Sequence, residues 1–180
     1  MKEYIQKKSK TEIKFTFDKT KLHYFIKDEK SKGEFSIAYD YISYNSYEVT
    51  HSKDVFKYYS TYLLVLGIVT LIAGVGALML IGSLIMYILY KRSIVTYTVF
   101  TGNDRRIFVI HDENHDEIIK EMLDRRSEYM KHKYAILNPH NSPEHELRKF
   151  ELLLEEKVIT EDEFNEFKFQ LTKTENKLLN

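Results

Sequence analysis

The chain has no cysteine and no tryptophan, and only two prolines. Without cysteine there can be no disulfide framework, thiolate metal site or cysteine nucleophile. It also carries no net charge, with 27 basic and 27 acidic residues, so no overall field draws it to nucleic acid. It has no Gly-x-Ser-x-Gly elbow, no P-loop and no dinucleotide-binding glycine fingerprint. The chain therefore reads as a non-enzyme that needs no cofactor, and its lack of cysteine fits soluble parts in the cytoplasm.

Charge is also missing locally. Between Lys57 and Lys91 no residue is charged, and the run includes Leu63-Leu64-Val65-Leu66-Gly67-Ile68-Val69 and Leu78-Met79-Leu80-Ile81. About 18 such residues suffice for a membrane span, because the hydrocarbon core is roughly 30 Å thick. Tyr58, Tyr59 and Tyr62 stand at one end and Tyr87 and Tyr90 at the other, where amphipathic rings suit the headgroup zone. The expectation is an integral membrane protein of the inner (cytoplasmic) membrane, with residues 58–90 transmembrane. The run lies behind residues 1–57, which sets it apart from a secretory leader.

Two geometries are open. One helix would be roughly 50 Å long, more than a bilayer needs, whereas a hairpin would give two helices of roughly 22 Å each. Gly74-Val75-Gly76 sits at the midpoint and can supply a bend, and both flanks are basic, which suits a hairpin with both ends on one side. Ala73 and Ala77, four apart, form a weak small-residue pair for helix contact.

Residues 1–11 read as a polar tail. From Glu12 apolar side chains recur every second residue: Ile13, Phe15 and Phe17, then Leu22, Tyr24 and Ile26, then Phe35 and Ile37, with a fourth strand over residues 42–48. Asp28 to Gly33 reads as a hairpin loop. After the apolar run, Ile94 to Phe100 and Arg106 to Ile110 read as strands around the turn Thr101-Gly102-Asn103-Asp104. Asp116 to Tyr134 takes helical spacing, with Asn114 or Asp112 as cap. Residues 138–143 hold both prolines and form a linker. Two short helices follow, the second opened by the capping box Thr160-Glu161-Asp162-Glu163.

The stretch Leu153-Leu154-Glu155-Glu156-Lys157-Val158-Ile159-Thr160-Glu161-Asp162-Glu163-Phe164 resembles the short C-terminal (SHOCT) domain, with Lys168 and Leu171 at that family's closing positions. The family usually has Gly where Lys157 stands, so the first helix is expected to end less sharply here. The remainder is similar to bacterial pleckstrin-homology-like membrane proteins. The match lies in Phe35-Ser36-Ile37-Ala38-Tyr39-Asp40-Tyr41-Ile42, in Thr101-Gly102-Asn103 with Arg106-Ile107-Phe108, and in the helix from Asp116. This resemblance implies one β domain interrupted by a membrane hairpin, and it favours the hairpin over a single span.

The expected fold class is an α+β membrane protein: an antiparallel pleckstrin-homology-like sheet or partial barrel with a closing helix. Residues 12–57 and 91–135 form its two parts, 58–90 the membrane segment, 136–143 a linker and 144–174 the helical hairpin. Lys57, Lys91, Arg92, Arg105 and Arg106 are expected at lipid headgroups, so membrane lipids are expected partners. Leu147, Phe150, Leu153, Leu154, Ile159, Phe164, Phe167 and Leu171 are expected to form a partner interface, because two short helices cannot bury them alone. That implies a homo-oligomer or a protein partner, and no nucleic acid.

His111 and His115 are the nearest approach to a metal motif, but the zincin pattern needs Glu where Asp112 stands. They are read as loop residues and no metal is expected; His140 and His145 are read as exposed loop residues. The leading function is a membrane-bound assembly module. The alternative is a membrane-bound sensor or stress or defence effector that binds a small ligand or lipid and alters the membrane segment.

Overall fold

The computed structural model describes residues 1–29, 31–71, 74–138 and 140–178. Among these residues seven strands form two antiparallel sheets. β1 (Lys2–Lys8), β2 (Thr11–Phe17), β3 (Lys21–Lys27) and β4 (Lys32–Ala38) pair in sequence order. A single 3-10 turn, Tyr39–Tyr41, leads to β5 (Ser46–His51), which pairs with β6 (Val95–Gly102) and through it with β7 (Arg105–Ile110). Two helices, α1 (Asp54–Val69) and α2 (Gly76–Ser93), lie between β5 and β6, and α3 (His115–Tyr134) follows β7. The chain closes with α4 (Pro143–Glu155) and α5 (Glu161–Leu178).

Alternation accounts for the first sheet. Ile13, Phe15 and Phe17 of β2 and Leu22 and Tyr24 of β3 are fully or almost fully buried, and their neighbours in sequence face outward. Val95, Val99, Ile107 and Val109 of the second sheet join the same core, and Ile118 and Met122 of α3 close it. The expected polar tail is instead strand β1. Its apolar content is low because it lies at the sheet edge and turns Gln6 inward, 1% exposed.

Gln6 joins the two sheets. Its Nε2 donates to the Ile110 carbonyl and its Oε1 accepts from the Ile110 amide, both at 2.8 Å. Two residues earlier on β7, the Phe108 amide donates to the Tyr24 hydroxyl at 3.1 Å, and that hydroxyl lies 3.3 Å from the Phe108 carbonyl. Burial pushes the Tyr24 hydroxyl well above its usual pKa, so it stays protonated. Side chains thus fill the outer edge of β7 where a further strand would otherwise pair.

The C-terminal helices are packed against the rest of the chain. Phe150, Leu153, Val158 and Ile159 are buried with Met130, Tyr134, Ala135 and Leu137 at the end of α3, and Phe150 stacks on Phe167 at 4.1 Å. Leu147, Leu154, Phe164, Phe167 and Leu171 are half-buried. Of the eight residues expected at a partner interface, Phe150, Leu153 and Ile159 are therefore internal and the other five half-covered, because the last turns of α3 supply the layer that two helices lack. Arg126, 3% exposed, fastens this unit: it donates to the Ile42 carbonyl at 2.5 Å, the Glu156 carbonyl at 3.2 Å and the Glu156 carboxylate at 2.5 Å.

α4 ends sharply despite Lys157. That residue takes φ +53°, its amide donates to the Leu154 carbonyl, and the Val158 amide donates to the Leu153 carbonyl at 2.8 Å. This is the Schellman pattern that glycine usually closes. The capping box holds α5: the Glu163 amide donates to Thr160 Oγ1 and the Thr160 amide to Glu163 Oε2.

The membrane expectation has to be corrected. No helix among the described residues is long and apolar enough to cross a membrane. At 1.5 Å per residue α1 is about 24 Å and α2 about 27 Å long, against a core of roughly 30 Å, and the last turn of α2 carries Lys91 and Arg92. The uncharged run does not act along one axis, because the chain doubles back at Gly74, φ +78°. The transmembrane segment, the integral-membrane fold class and function, the sensor alternative that worked by altering that segment, and the inner-membrane location all fall with this finding. The fold class is α+β with two antiparallel sheets and helices.

Two substitutions test these joints. Gln6→Ala leaves a buried amide and carbonyl of Ile110 without their partner, and should cost about 2–3 kcal/mol in urea unfolding. Lys157→Gly relieves a left-handed non-glycine residue and should add about 0.5–1 kcal/mol by the same measurement, its lost contact with the Tyr44 ring offsetting part of the gain.

Candidate functional site

The arm formed by α1 and α2 grows directly out of the β5–β6 ladder. The last cross-strand pair is His51 with Val95, and the Lys53 amide then donates to Ser93 Oγ at 3.1 Å across the neck. Along the arm the closest approach between the helices is made by small residues spaced seven apart, Ser60 and Gly67 on α1 and Gly76 and Ser83 on α2, with Leu80 set against Gly67 and Leu63 against Gly82. Ser60 and Ser83 meet reciprocally: each hydroxyl donates to the other's carbonyl, at 3.0 and 2.8 Å. Gly67 and Gly76 face each other so closely that a Cβ on Gly76 would stand 2.2 Å from the Gly67 carbonyl oxygen.

A seam of small residues sends many of the large ones outward, while Leu63, Leu66, Met79 and Leu80 are half-buried. Leu64, Val65, Ile68 and Val69 of α1 and Leu78, Ile81, Leu84, Ile85 and Ile88 of α2 are all exposed. A helical hairpin stabilised by water does the reverse, with leucine and isoleucine in the seam and polar groups outside. Tyr58, Tyr59, Tyr62 and Tyr87 are exposed towards the base, where Lys57, Lys91 and Arg92 also stand. The Ala73 half of the small pair lies outside the described residues.

Arg105 and Arg106 do not belong to this base. They pair with Gly102 and Thr101, at the far end of β6 from Val95 where the arm begins. That far end is the pole of the C-terminal helices: the Ser43 amide donates to the Thr101 carbonyl, and Arg126 ties Ile42 to Glu156. A cavity of about 780 Å³ opens there beside Arg105, Arg106 and Asp40. Asp40 is engaged structurally, since its Oδ2 accepts from Lys133 Nζ at 2.7 Å and from the Tyr134 hydroxyl at 2.9 Å. Burial works to raise its pKa, but the bonds from Lys133 and Tyr134 prevail and hold it below the usual carboxylate value.

The structure brings the two candidate histidines together. The rings of His111 and His115 lie 4.0 Å apart, and both Nε2 atoms approach Thr98 Oγ1, at 2.9 and 2.8 Å. Sequence spacing reveals the histidine pair, but Thr98 is distant in the chain and only the strand register delivers it. Among the described residues no three His, Asp or Glu side chains are gathered closely enough to hold a metal as they stand.

No family model, curated protein or solved structure matches the chain.

Asp40 gives a pH-dependent outcome. A carboxylate with a depressed folded pKa stabilises the fold above its unfolded value near 3.8, and this is lost as pH falls through the lower folded value. The stability gap between the chain and Asp40→Asn should therefore be full at pH 7 and close below about pH 4, read by urea unfolding at each pH.

Proposed function

We propose that the chain is a non-enzymatic docking protein whose apolar arm is received by the acyl layer of a lipid surface without crossing it. The β domain, read as pleckstrin-homology-like, then sits at the headgroups, and the SHOCT-like helices face away to take a protein partner or a second copy. The observation that carries this is the inverted arm, with small residues at the closest approach and most of the large apolar ones outside on both helices. In lipid such packing is favoured, because close approach of small residues holds the helices while their outer faces meet acyl chains. The arm's base supports the reading, since tyrosines and then Lys57, Lys91 and Arg92 are the groups that suit the interface and its anionic headgroups. For the C-terminal helices, exposed Leu152 and Phe169 are the natural contacts.

Flotation of the full chain with phosphatidylcholine vesicles tests the arm. The chain should rise with the vesicles, and Leu64→Glu combined with Leu84→Glu should reduce the floating fraction at least tenfold without changing the circular dichroism of the β domain. A chain that stays at the bottom but runs as a dimer, made monomeric by the same substitutions, would replace lipid with a second copy as the arm's partner.

A further inference from the structure

We propose that His111, His115, Thr98 and Glu48 form a binding site for a divalent transition-metal ion of the zinc type. The site lies on the second sheet near the end of β6 where the arm begins, since the His111 amide donates to the Thr96 carbonyl beside Val95, but none of its ligands belongs to the arm and it does not rest on lipid docking. Glu48 of edge strand β5 stands directly opposite Thr98 of β6, while His111 follows β7 and His115 opens α3.

The order already built into the site favours an ion. His115 Nδ1 lies 2.7 Å from Asp116 Oδ1, so this nitrogen carries the proton and Nε2 presents its lone pair inward. A carboxylate behind a histidine is the arrangement that orients metal ligands and raises their basicity. His111 Nε2 converges on the same point, and Thr98 Oγ1 lies within 2.9 Å of both nitrogens. A hydroxyl has one proton, so it can donate to only one of them and the other must donate back. A cation placed among the three donors would use all their lone pairs at once. Zinc holds nitrogen and oxygen at about 2.0–2.2 Å, so its tetrahedral ligands stand roughly 3.3 Å apart. Thr98 Oγ1 and each histidine nitrogen need to part by only about half an ångström.

Glu48 supplies the fourth ligand and the negative charge. Its Oε1 is 3.9 Å from His111 Nε2, and its side chain is 70% exposed, free to swing inward. The His111 and His115 side chains are 32% and 16% exposed, which leaves a path from solvent. Two imidazoles with one carboxylate suit zinc, and cobalt and nickel after it, better than magnesium or calcium, which prefer all-oxygen shells.

The test is calorimetric titration of the full chain, made without a histidine tag, with zinc chloride, alongside cobalt absorbance as a coordination probe. One equivalent should bind, with the visible band of tetrahedral cobalt. His111→Asn and His115→Asn should each weaken binding at least a hundredfold, and Glu48→Gln about tenfold. Glu48 is exposed, so its variant keeps the fold even if the histidine variants lose it. Zinc should raise the unfolding midpoint of the original chain more than that of Glu48→Gln. No binding at millimolar zinc, or binding and midpoint shift unchanged in Glu48→Gln, would overturn the proposal and assign any bound zinc to the other histidines.

Discussion

The pairing of β5 with β6 constrains the rest of the molecule. One strand comes before the apolar run and the other after it, and they lie antiparallel from Ser46 opposite Phe100 to His51 opposite Val95. Whatever the intervening residues do, they must return within one strand spacing of where they left. That requirement turns the run into a two-helix arm, and it lets segments on either side of the arm share one core. The seam answers the same demand: two helices leaving adjacent strands start close together, and serine and glycine let them stay close.

The two sheets meet through side chains. Gln6 and Tyr24 bond the amides and carbonyls of Ile110 and Phe108, so β7 has its outer edge satisfied without a neighbouring strand. A polar residue at an inward position of a strand usually signals an error in register. At Gln6 it marks the place where one sheet ends and the other needs a partner.

Much of the fold was legible, because alternation along β2 and β3 and helical spacing in α3 are strong local signals. The capping box at Thr160 was equally plain. β1 was hidden because an edge strand with lysines outside and glutamine inside has almost no apolar period. The bend in the apolar run was expected from Gly74-Val75-Gly76 and the two basic flanks; the membrane reading failed because the run does not show where each helix starts and stops, and Lys91 and Arg92 fall within the last turn of α2. The internal burial of Phe150, Leu153 and Ile159 was missed because the covering surface comes from Met130 and Tyr134 on another helix. The histidine pair could be read from spacing, but its convergence on Thr98 depends on three elements meeting. Lys157 was misjudged because sequence reports only the cost of a left-handed lysine, whereas the fold accepts that cost to keep the Schellman bonds.

The arm leaves β6 at Val95, and the C-terminal helices gather around Thr101 and Gly102 at its other end. At roughly 3.3 Å per residue the strand spans about 23 Å. The β domain is therefore a spacer of fixed length between two unlike ends. A rigid sheet thus keeps the arm and the α4–α5 pair at a set separation, one that no flexible linker could define.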